Sequence, residues 1–122
     1  MTIQFCRENL GRIIWPIMSS IECSDAVQLC RENIDKVWWI YMSHNSCSEA
    51  VQLCRENMDK IYWPTMSGNE CPEAVQLCID NMDKVDWTWF SFNKSPEAVK
   101  LCTNDWDCID FCNWEKLHKN ND

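Results

Sequence analysis

The strongest constraint on this chain is a period. Shifted by 24 residues, the sequence falls on itself. Cys30, Cys54, Cys78 and Cys102 come into register, with Cys6 in front, and Trp15, Trp39, Trp63 and Trp87 align ahead of Phe111. Asp35, Asp59, Asp83 and Asp107 align, the first three followed by Lys36, Lys60 and Lys84. Asn9, Asn33, Asn57 and Asn81 share a position with Asp105, and Ser19, Ser43, Ser67 and Ser91 share another. Ala50 to Asn57 repeats Ala26 to Asn33 letter for letter. The unit reads C-S-E-A-V-Q-L-C-R-E-N-M-D-K-I-x-W-x-x-M-S-x-N-x. A fixed period of this length marks a repeat architecture, in which each unit hides its apolar side on its neighbours.

The register sets the domain organisation. Complete units span 23–46, 47–70 and 71–94, and a partial unit occupies 1–22. In that partial unit Thr2 to Asn9 matches Ala26 to Asn33, so its first helix lacks an N-terminal turn. The last copy, 95–116, degenerates after Cys102: Trp106 stands for Met82 and Cys108 for Lys84, which suits a terminal cap. Residues 117–122 read as a frayed tail, leaving one repeat domain over 1–116. The N-terminal copy has no equivalent cap, so its first helix is expected to be covered by a partner or another subunit.

Within a unit, Ser95-Pro96-Glu97 is a helix start: a capping hydroxyl, a proline at the first helical position and an acid near the positive dipole end. Pro72-Glu73 repeats it, with Cys71 in the serine's place. Ala26, Leu29 and Cys30 form one apolar stripe flanked by Val27, while Gln28, Arg31 and Glu32 face away. Asn33, Asn57 and Asn81 stand where a helix of about ten residues would end in a left-handed residue. In the second half, Pro64 and Pro16 each follow a tryptophan, a position proline tolerates only in a first turn. The expectation is a tight turn at Asp59 and a short helix from Trp63 to Gly68, with Ile61, Trp63 and Met66 inward. The alternative is a short extended Ile-x-Trp segment per repeat. The fold class is therefore all-α: a short solenoid of about five stacked helix–turn–short-helix repeats.

The string Asn81 to Asn93, followed by Ser95-Pro96-Glu97-Ala98-Val99, resembles the short tandem repeats of giant-virus proteins of mimivirus, marseillevirus and algal-virus type. Their unit reads approximately N-P-x-A-I-x-L-L-E-x-N-P-D-K-I-x-W-x-x-L-S-x. The resemblance runs from Thr2 to about Trp114, and Asp-Lys-Ile/Val-x-Trp and Ala-Val-x-Leu are its specific parts. This unit is about two residues longer, carries cysteine at the second leucine, and has Met or Ile before Asp-Lys. The resemblance implies a viral origin and an interaction scaffold, and supplies no catalytic residues.

Composition narrows the partners. The chain has 122 residues and a net charge of −8, which disfavours nucleic acid and anionic membrane surfaces. No apolar run approaches the ~20 residues of a membrane span. Residues 1–20 show no signal-peptide pattern, so an intracellular location is expected, host cytoplasm or virion.

The ten cysteines need their own account. Cys23 and Cys30 are seven residues apart on one helix, ~10 Å between Cα atoms, and equivalent cysteines in stacked copies lie ~8–10 Å apart; neither spacing suits a disulfide. The series from Cys6 to Cys102 reads as free thiols in the core, where cysteine acts as a small hydrophobe. Cys23, Cys47 and Cys71 sit at helix starts, where intermolecular cross-links are conceivable. Cys102, Cys108, Cys112 and His118 have zinc-type donors but no C-x-x-C pair.

The aspartate ladder reads as acids at the mouth of a turn, balanced by the neighbouring lysines, and Trp39, Trp63 and Trp87 as core. Trp38, Tyr41, Tyr62 and Trp89 occupy positions that vary between copies; variable aromatics on a constant scaffold are candidates for a partner surface. His44 and His118 are solitary, and no nucleophile–base set or phosphate loop can be placed. The chain is thus expected to be a non-enzymatic scaffold, without cofactor, that binds a protein or itself through its repeat ends. A cysteine-stabilised structural virion component and a zinc module in the last copy are the alternatives.

Overall fold

The computed structural model describes residues 2–104, with side chains through Leu101. These residues are all-α. The order is α1 (Ile3–Arg7), α2 (Trp15–Ser20), α3 (Ser24–Glu32), α4 (Trp39–His44), α5 (Ser48–Glu56), α6 (Trp63–Ser67), α7 (Pro72–Ile79), α8 (Trp87–Ser91) and α9 (Pro96–Asn104). Odd-numbered helices are the first helices of successive copies and even-numbered ones the second. Contacts gather into two compact units, one ending at Tyr62 and the other beginning at Trp63.

In the first unit, α1 packs on α3 and α3 on α5, while α2 packs on α4, α2 on α3 and α4 on α5. In the second, α7 packs on α9 and α6 on α8, with α6 against α7 and α8 against α9. Each unit is thus a stack of copies, with like helices side by side. The predicted stripe is its interior: Leu29, Cys30, Leu53 and Cys54 in the first unit and Leu77 and Cys78 in the second are essentially sealed from solvent. Met42, Met66 and Phe90 complete the core from the second helices. Helices of five to nine residues would not persist alone in water, so this shared burial holds them.

The short second helix appears in every described copy, and Pro16 lies in the first turn of α2 as expected. The extended alternative survives only as a link before it: Val37 and Trp38 have ψ of 135° and 99°. In place of a simple turn, a 3-10 turn joins the two helices at Leu10–Arg12, Ile34–Lys36 and Met58–Lys60.

Two expectations are corrected. Asn33 and Asn57 do not turn left-handed; their φ values are −131° and −134°, and no described residue has positive φ. Each instead donates its side-chain amide to a carbonyl four residues back, Asn33 to Leu29 at 2.9 Å, Asn57 to Leu53 at 2.9 Å and Asn81 to Leu77 at 2.8 Å. The chain continues into a tighter helical turn rather than reversing, so what it needs is a donor for an orphan carbonyl. The tryptophan column, in turn, is half-buried. Trp15, Trp39, Trp63 and Trp87 roof the core at the starts of the second helices, and Trp87 meets Phe90 edge-on at 5.6 Å between ring centroids.

An arginine–glutamate ladder runs along the first helices of the first unit. Arg7 grips Glu32 with two bonds, Nε–Oε1 at 2.8 Å and Nη2–Oε2 at 2.6 Å, and one copy on Arg31 reaches Glu56 through Nη1 to Oε1. The Arg7 guanidinium, helped by Gln28, lowers the Glu32 carboxyl to about 2. Because the folded value lies below the ordinary 4.5, the pair's contribution is complete above pH 4.5 and lost as pH falls through about 2. Both side chains are a third or more open to solvent, so the contribution to stability is small. A carboxyl-carbon NMR titration should place Glu32 near 2, and Arg7→Ala should return it toward the ordinary glutamate range; an unchanged midpoint would show that Arg7 is not the cause.

Candidate functional site

In each unit the backbone that carries the variable aromatics is held by a polar clamp that repeats with the copies. Ser19, Ser43 and Ser67 are fully buried at the ends of second helices. Each Oγ accepts the backbone N–H of the residue 19 positions later: Trp38 at 3.0 Å, Tyr62 at 2.9 Å and Asp86 at 2.9 Å. These three acceptor–donor pairs join one copy to the next at the point where the chain enters the second helix.

Asparagine completes the clamp. Asn45 is 2% exposed, and its Nδ2 donates to the carbonyls of Ser19 at 3.1 Å and Ile21 at 2.9 Å, both in the previous copy. Its Oδ1 accepts from the Cys47 amide at 3.0 Å. In the second unit Asn93 does the same with the Ser67 and Asn69 carbonyls at 3.0 and 2.9 Å and the Ser95 amide at 3.0 Å. Buried polar groups are tolerated when every bond is made, and no buried side-chain N or O is left without a partner among the described residues.

On this clamped backbone the predicted aromatics stand out in solvent. Trp38 is 51% exposed, Tyr41 44%, Tyr62 43% and Trp89 45%. Trp38 and Tyr41 lie side by side, ring centroids 6.4 Å apart and planes tilted by 41°. Tyr62 holds the position of Trp38 one copy later. In the second unit the Trp89 ring lies against Gly68, where an added Cβ would come within 3.2 Å of Cε3. Glycine there makes room for the indole. Sequence reasoning missed two neighbours: Ile14 and Ile17 occupy the same two positions in the first copy and are 63% and 57% exposed. Being aliphatic, they gave no aromatic signal, although the 24-residue register places them directly.

The thiols fall into two classes. Cys6, Cys30, Cys54 and Cys78 are buried, and burial raises the Cys54 and Cys78 thiols to about 12, against a lowering by Ser43 and Ser67 respectively. At the helix starts, Cys23 is exposed, Cys47 half-buried and Cys71 buried. Cys47 and Cys71 donate to Glu49 and Glu73 at 2.8 and 2.9 Å, as Ser95 donates to Glu97 at 3.1 Å, so cysteine takes the serine's place there. Burial, and then these acids, raise both thiols.

Among the described residues no three His, Cys, Asp or Glu side chains gather as a metal site. Asp35, Asp59 and Asp83 stay exposed and do not converge. The zinc candidates Cys108, Cys112 and His118, and the Cys102 side chain, lie outside the described residues. No described helix is long and apolar enough to cross a membrane. No protein-family model, curated protein or solved structure matches the chain.

Proposed function

We propose that this chain is a non-catalytic repeat scaffold, of the viral kind its unit resembles, acting inside the host cell or virion to bind a partner protein. The observation that carries this reading is the pairing of constant backbone with variable aromatics. The Trp38 and Tyr62 amides are fixed by buried serines, while their side chains are about half exposed. Large rings held at set spacing lose little freedom on binding, which is why aromatics dominate binding hot spots. The net charge of −8 directs this face toward a protein rather than a nucleic acid.

The test is affinity recovery from infected-cell extract with the full chain and with a triple variant, Trp38→Ala, Tyr41→Ala and Trp89→Ala. All three side chains are more than two-fifths exposed, so the variant should keep its helical circular dichroism. Loss of discrete partners in the variant supports the reading; equal recovery from both refutes it.

A further inference from the structure

The first copy ends in an apolar groove of about 300 Å³ whose lining includes Phe5, Ile13, Ile14, Ile17, Met18 and Ile21. At Phe5, Met18 and Ile21 it is the surface that, one copy later, the preceding copy covers, while Ile14 and Ile17 stand where Trp38 and Tyr41 remain exposed. Phe5 is 55% exposed where Leu29 in the same position is 1%, and Ile21 is 38% where Asn45 is 2%. The groove therefore continues the interface by which copies stack in this unit.

Three features specify what fits it. The ladder described above gives Glu32 the arginine of the preceding copy and Glu56 the next one. Glu8 holds the same position and is bonded only by Gln4 among the described residues, at 3.1 Å. The amides of Trp38 and Tyr62 each meet a serine hydroxyl of the preceding copy, whereas the Ile14 amide in that position meets no acceptor among the described residues. The third feature tells the groove from an ordinary copy-to-copy contact. Ile21 replaces the asparagine that would reach back to two carbonyls, so the grip here is apolar rather than hydrogen-bonded.

From these features we infer that the groove docks an amphipathic helix of another protein, one that lays aliphatic side chains on Phe5, Ile17 and Ile21 and sets an arginine against Glu8. This goes beyond the aromatic side chains and does not depend on them, although the groove meets their face at Ile14 and Ile17. A second copy of the chain is the poorer match. A copy within this chain grips the one before it with an asparagine amide, as Asn45 does, and Ile21 offers none.

The test uses the full chain and an alanine-rich helical peptide of roughly 20 residues, long enough to hold helix, with a leucine stripe and one arginine at its edge. Titration followed by amide NMR should show saturable binding that shifts the Ile14 amide. Replacing the peptide arginine by glutamate should weaken binding about tenfold, and Glu8→Arg in the chain should reverse that preference. Ile17→Glu, at an exposed position that leaves the fold intact, should weaken binding by at least tenfold. Equal binding of both peptides, indifference to Ile17→Glu, or no saturation would overturn the inference. So would a concentration-dependent dimer, seen by sedimentation, that Ile17→Glu dissolves, since the groove would then hold a second copy.

Discussion

Asn45→Leu is expected to destabilise the first unit by about 2–4 kcal/mol, one of the largest effects available to a single substitution here. Leucine has nearly the same size, so no large cavity opens. The cost comes from the Ser19 carbonyl and the Cys47 amide, which lose their partners, and from the Ile21 carbonyl, which keeps only the Cys23 amide at 3.0 Å. Each buried unsatisfied group costs about 1–3 kcal/mol, and small domains have only about 5–15 kcal/mol in total. Urea unfolding followed by circular dichroism would measure it. Asn45→Asp separates the donors from the acceptor. Aspartate still accepts from Cys47 but turns a carboxylate toward two carbonyls, so at pH 7 it should be the worse variant. Burial and those carbonyls would raise its folded pKa, and its deficit should shrink as pH falls and the carboxyl protonates. If Asn45→Leu shifts the midpoint no more than an exposed control such as Gln52→Leu, the clamp does not hold the copies together.

The second large effect is chemical. With a maleimide at pH 8, Cys23 should label quickly in the folded chain, while Cys54 and Cys78 should be protected by a thousandfold or more. Raising a thiol from the ordinary 9.0 to about 12 reduces its thiolate fraction roughly a thousandfold, and only the thiolate reacts. Burial adds steric exclusion, since both residues are sealed from solvent. Protection should vanish in denaturant, giving rates like that of Cys23. Mass spectrometry of quenched samples would read each site. Rapid labelling of Cys54 without denaturant would mean that the stack opens often, or that the stripe is not the interior. The same experiment bears on cross-linking: the exposed Cys23 is the thiol at a helix start best placed to reach another molecule.

The parts of this fold that could be read in advance depend on spacing alone. Ala26, Leu29 and Cys30 fall on one helical face, and Pro16 and Pro64 can stand only in a first turn, so both helices of each copy followed. The cysteine stripe was legible because its spacing is too wide for disulfides and its neighbours are leucines. The clamp was not foreseen, because a serine or asparagine in a short polar stretch looks like a surface residue. Its signal was nevertheless present. Ser19, Ser43, Ser67 and Ser91 are invariant across copies although the next position changes from Ser20 to His44, Gly68 and Phe92, and Asn45, Asn69 and Asn93 yield to Ile21 only where no described copy comes before. The tryptophans misled in the opposite direction. Their size suggested the interior, but they stand half-buried at the starts of the second helices, and Met42, Met66 and Phe90 are the fully buried side chains there. Trp38, Tyr41, Tyr62 and Trp89 were identifiable because they change from copy to copy.

The asparagine clamp also restricts how such a gene can grow or shrink. Within each unit the joint has two halves: carbonyls offered forward, by Ser19 and Ile21 or Ser67 and Asn69, and an amide reaching back, from Asn45 or Asn93. Unequal crossing-over that adds or removes whole multiples of 24 codons rejoins matching halves, and the seam is as sound as any other. An indel of any other length would pair an amide with the wrong residues and bury them without partners. Array length can therefore drift between lineages while the period stays fixed, and the positions free to diversify are those outside the joint, where the exposed aromatics stand.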